Sequence, residues 1–152
     1  RGARPGRASA GRARARPRAP PAAATFEPSA RTYNTVVLPD TREGGGWIVY
    51  LLPGTTKQGI VPIGGSYRLE LDAAGDRVVT QRGFTRSCIT LENPPDSAAM
   101  MITHLLDPRP TEVHVFWSLW AGKPMFVGTS TGLWKIEDGR VTMSSRSEKK
   151  GP

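Results

Sequence analysis

The chain has 152 residues, enough for one ordinary hydrophobic core and too few for two. Its formal net charge is +8, yet eight of the 21 basic residues and one of the 13 acidic residues lie in residues 1–31, so the remainder is nearly neutral. The folded part therefore gives no electrostatic argument for a nucleic-acid partner, and the single cysteine, Cys88, excludes an intramolecular disulfide and a multi-cysteine zinc site.

No apolar run approaches the ~18 residues of a membrane-spanning helix, and the N-terminus lacks the apolar core of a secretory signal. The sequence begins with Arg1 rather than Met, so the compartment stays open: periplasmic or secreted if a leader has been removed, cytoplasmic otherwise.

Residues 1–24, "RGARPGRASAGRARARPRAPPAAA", contain only Arg, Gly, Ala, Pro and Ser. They offer no large side chain to offset the entropy of ordering the backbone. Residues 1–31 are expected to form a disordered arm and 145–152 a disordered tail, with one domain over 32–144. An Arg-rich arm touching phosphates is one functional reading, but no aromatic residue is interleaved as a stacking platform would need.

Strand patterns begin at Trp47. "GWIVYLL" (46–52) is a continuous apolar run ended by Pro53-Gly54, as in a buried strand. "SYRLELD" (66–72) alternates, with Tyr67, Leu69 and Leu71 on one face and Arg68, Glu70 and Asp72 on the other. A turn at "AAGD" and a return over "RVVTQ" (77–81) make a hairpin. "SCITL" (87–91) reads as a short strand stopped by two prolines. "DSAAMMITHLL" (96–106) holds the best helix signal, although it can turn into a strand by Met101. "EVHVFWSLW" (112–120) and "PMFVGT" (124–129) read as strands, and "GLWKIEDGRVTM" (132–143) as two strands about Asp138-Gly139. The expected fold is mainly β or α+β, a small antiparallel sheet, sandwich or partly open barrel with at most one or two short helices. No internal repeat is present.

Chemistry is concentrated in "MITHLLDPRPTEVHVFWSLW" (101–120), which holds both histidines. If 100–106 and 112–120 pair as a hairpin around "DPRPT", His104 falls opposite His114 with Glu112 on the same face. These are ligand types of a zinc or non-haem iron site, with Cys88 as a possible fourth ligand, or the members of an acid–base pair. No HExxH-type spacing is present, and half-buried strand histidines hydrogen-bonded to backbone or to Glu112 explain the pattern more simply. Cys88 more simply reads as a small core residue of an interior strand. Trp117 and Trp120 have opposite strand parity, so one of them is a candidate binding anchor unless both faces are covered.

The segment "VGTSTGLWKIEDGRV" (127–141) resembles one unit of the two-component-regulator propeller repeat. The longer run from "GGSYRLELDAAGDRVVTQRGFTRSCITL" to "THLLDPRPTEVHVFWSLWAGKPMFVGT" is similar to uncharacterised small bacterial proteins with no assigned activity, often exported. Neither resemblance supplies a catalytic residue or a cofactor. The preferred expectation is a bacterial non-enzymatic binding or structural protein, its partner left open with a protein as one candidate. The alternatives are an enzyme centred on His104, Glu112 and His114, or nucleic-acid binding through the basic arm.

Overall fold

The computed structural model describes residues 30–146, so residues 1–29 of the basic arm and the last six residues lie outside the described residues. Among the described residues the fold is mainly β with one helix, and the sheets do not close into a barrel.

The first sheet is a meander. β1 (Tyr33–Pro39), β2 (Trp47–Pro53), β4 (Tyr67–Leu71) and β5 (Val78–Gly83) pair antiparallel in that order, with β1 and β5 at the edges. A small second sheet pairs β3 (Ile60–Val61) with β6 (Leu91–Glu92). In the third sheet β7 (Met100–Thr103), β8 (Met125–Thr129), β9 (Gly132–Glu137) and β10 (Arg140–Arg146) lie side by side, with β7 parallel to β8. A parallel pair needs a crossover, and α1 (Glu112–Ala121) provides it.

That helix corrects the strand expected over 112–120. Thr111, in extended backbone, is its N-cap, and Gly122 ends it in the left-handed conformation at φ 64°, donating its N–H to the Leu119 and Ser118 carbonyls. Helix expected over 96–106 gives way to β7, in which Met100 and Ile102 are buried and Met101 and Thr103 exposed. The expected 100–106/112–120 hairpin does not form, because β7 pairs with β8 instead. "SCITL" contributes only its last residue, Leu91, to a strand. β1 lies upstream of the expected strands, and β10 runs to Arg146, beyond the expected domain end.

The turn at Asp138 (φ 50°) and Gly139 (φ 76°) has both central residues left-handed, as a two-residue hairpin of the right twist requires. The propeller-like segment 127–141 spans β8, β9 and the start of β10, but its sheet also holds the parallel β7, which an antiparallel propeller blade lacks.

The core lies between the first and third sheets. Leu52, Val61, Ile63 and Phe84 meet Met100, Ile102, Met125, Val127 and Ile136, and Val113 and Trp117 of α1 pack among them. Polar groups from the first sheet also reach α1: Arg68 pairs with Glu112, and Trp117 donates its indole N–H to the Ser66 hydroxyl at 3.4 Å.

Candidate functional site

The two histidines do meet, by a route other than facing strands. His104 follows directly on β7, where its N–H donates to the Gly128 carbonyl of β8 (2.7 Å). His114 is the third residue of α1. Crossover from β7 into α1 brings the rings edge to face, with centroids 4.6 Å apart. Both are buried, at 4% and 2% exposure.

Each imidazole is held by a local partner. The Thr111 N–H donates to His114 Nδ1 at 3.1 Å, and the Thr111 hydroxyl lies 2.9 Å from the same nitrogen. His114 thus reaches back over the first turn to a backbone donor that the helix leaves unmatched, as a capping-box side chain does. Burial, and secondarily the neighbouring His104, lowers its pKa from 6.5 to about 4. The ring is neutral near pH 7.

His104 Nε2–H donates to Asp107 Oδ2 at 2.8 Å, and the Arg82 guanidinium of β5 grips the same carboxylate oxygen. Partial burial works to raise the Asp107 carboxyl, but the His104 and Arg82 hydrogen bonds outweigh it and hold it below its ordinary range. Arg82 also stacks over Phe84, 5.0 Å from the ring centroid. The chain Arg82–Asp107–His104–His114–Thr111 therefore ties the first sheet to α1 and the third sheet.

Glu112 does not join the histidines. Its Oε1 accepts from the Tyr50 hydroxyl (3.0 Å) and the Arg68 guanidinium (2.9 Å). Burial, with the Glu112 carboxylate beside it, pushes the Tyr50 phenol up. An acid in the first turn also complements the helix dipole. Cys88 is exposed in an irregular segment between β5 and β6 instead of sitting in an interior strand. Among the described residues no three His, Cys, Asp or Glu side chains converge as a metal-ligand set.

Trp117 is buried and Trp120 exposed, at 2% and 53%. On a helix, residues three apart are neighbours, and the two rings meet edge to face at 5.4 Å.

Two concavities flank this framework. A cleft of about 280 Å³ is lined by Thr85, Ser87, Ile89, Thr103, His104 and Leu105, among others. A second, of about 210 Å³, runs between β1 and α1 and is lined by Val36, Leu38, Tyr50, Leu52, Val113 and Phe116, with Glu112 beside them. Sequence reasoning missed this groove because β1 was not read as a strand. The only signal was the β-branched pair Val36-Val37 in "TYNTVVLP".

Comparison with models of known protein families, with curated proteins and with solved structures found no match.

Proposed function

We propose that the chain is a non-catalytic binding domain that takes an extended apolar segment along β1, in the groove beside α1. The observation that carries the reading is an edge strand of seven residues whose own side chains, Val36 and Leu38, line an apolar groove. Among the described residues β1 pairs with β2 alone, so its far side from Thr35 to Leu38 offers main-chain donors and acceptors. A strand added there sends every second side chain toward Phe116 and Val113. Main-chain hydrogen bonds supply affinity, and the groove selects apolar residues. β1 carries no charged residue, the usual guard on an edge strand.

The histidine pair supports the same reading. His114 is neutral and engaged by Thr111, and His104 is engaged by Asp107, which gives both a role in holding the two sheets and the helix together.

The test uses the full chain and a fluorescein-labelled capped peptide, Lys-Thr-Val-Thr-Val-Thr-Val-Lys, followed by anisotropy. Saturable binding that weakens about tenfold or more in Leu38→Glu is expected, with far-UV circular dichroism unchanged. Absent binding, or binding indifferent to Leu38→Glu, overturns the reading.

One observation favours an acid–base enzyme as a second reading: His104, oriented by Asp107, lines the same cleft as Ser87. Ester hydrolysis of p-nitrophenyl acetate that is abolished in His104→Ala and in Ser87→Ala would favour it over binding.

A further inference from the structure

The first sheet presents its faces the opposite way from the one its alternation suggests. Cross-strand partners share a face. Arg68 lies opposite Tyr50 and Arg82, and Glu70 opposite Ile48 and Thr80. Tyr50, Leu52 and Phe84 of that face reach the core, and Arg68 bonds Glu112 of α1. Alternation then places Val37, Trp47, Val49, Leu51, Leu69 and Leu71 on the opposite side, away from α1 and the third sheet.

No charged side chain interrupts that outward row on any of the four strands. Val37 is 53% and Trp47 40% exposed, and the residues between them are half-buried. Gly75 of the β4–β5 turn lies against the Trp47 ring, while the core residues of α1 and the third sheet pack with the other face. An apolar sheet face of this kind marks an association surface.

We propose that this outward face is the interface between two copies of the chain, packed face to face as a twofold β-sandwich. This inference is independent of the β1 groove. Three observations favour a second copy as the occupant. The row is uncharged, so bringing it against itself meets no like-charge repulsion, and a twofold interface uses one patch twice. Residues 1–29 contain one large apolar side chain, Phe26, too little to match a row of six. The face is also wide enough for a weak contact between copies: four strands at ~4.8 Å spacing and about five residues at ~3.3 Å give roughly 300 Å² in plan on each copy. Roughly 600 Å² over the two copies is below the ~1,200 Å² of stable complexes, so the contact is expected to be weak and transient, with association emerging toward the upper end of a micromolar concentration range.

Sedimentation of the full chain from about 1 to 300 µM tests the proposal. The mass is expected to rise from 16.4 kDa toward twice that value. Val49→Lys, on a central strand, is expected to raise the dissociation constant about 30-fold or more, with far-UV circular dichroism and Tm retained. Should Val49→Lys fail to fold, Trp47→Lys at the exposed rim decides. Leu38→Glu, which alters the groove and not this face, leaves association unchanged. A chain that stays at 16.4 kDa throughout overturns the proposal, as does association that survives the folded lysine variant. Association lost in Leu38→Glu alone also overturns it, by moving the interface to the β1 groove.

Discussion

His104 and His114 lie with ring centroids 4.6 Å apart, one just past the end of a strand and the other on the first turn of a helix. Burial, and secondarily the neighbouring ring, makes a proton on His114 costly. Its pKa is lowered from 6.5 to about 4, chiefly by burial. The native state therefore favours the neutral ring. The stabilisation is complete above the unfolded value near pH 6.5 and is lost as pH falls toward 4. Between pH 7.5 and 4.5 the loss from this residue is about 2–3 kcal/mol. His114→Gln keeps a side chain able to reach the Thr111 N–H and removes the titration. Urea unfolding at the two pH values is expected to show a smaller acid loss in the variant than in the parent. Equal losses would mean that His114 does not titrate as described.

The tryptophan pair on α1 predicts a sharp asymmetry. Trp117 fills the core and donates to Ser66, so Trp117→Ala is expected to cost about 3–5 kcal/mol. Trp120 is half exposed, and Trp120→Ala is expected to cost under about 1 kcal/mol. Thermal denaturation of the two variants measures both. Similar costs would contradict the burial of Trp117 and the exposure of Trp120.

Gly64 is predicted to be the least replaceable glycine near the small sheet. Its N–H donates to the Ile89 carbonyl at 2.7 Å, and a Cβ there would collide with the Ile89 nitrogen. The same Cβ would stand 2.7 Å from the Ser87 carbonyl oxygen and 2.8 Å from the Cys88 carbonyl carbon. These are backbone atoms, so the segment must move as a whole. Gly64→Ala is expected to lower stability by about 2 kcal/mol or more, read as a fall in Tm. Gly44→Ala, where nothing lies within 4 Å of the added carbon, meets only the strain of its φ of 96° and is expected to cost less.

Strands whose signal is local were legible in the sequence. β4 and β5 follow the alternation and turn of 66–81, and β9 and β10 fold about Asp138-Gly139 as their dipeptide requires. α1 was not legible as a helix. "EVHVFWSLWA" sits between two sheets and is apolar around much of its circumference, so it lacks a clear 3.6-residue stripe, and its β-branched and aromatic residues favour a strand. Thr111 and Gly122 at its ends were the signals that pointed to a helix. The neighbourhood of His104 and His114 was anticipated through a hairpin register that does not exist; the actual cause is the crossover between two parallel strands. Glu112 fell away for the same reason, since a helix turns it toward Tyr50 and Arg68. Alternation correctly grouped Tyr67, Leu69 and Leu71 on one face. It carries no information about which face the rest of the chain covers, because that depends on where α1 crosses.

The binding reading is tested most directly by amide hydrogen exchange on the full chain, with and without the capped Thr-Val peptide at saturating concentration. Backbone amides of Thr35–Leu38 that point away from β2 are expected to slow on binding, together with smaller changes at Val113 and Phe116 of α1. Slowing confined to the His104 cleft or to Val49 and Leu69, with Thr35–Leu38 unchanged, would contradict the assignment of β1 as the binding edge.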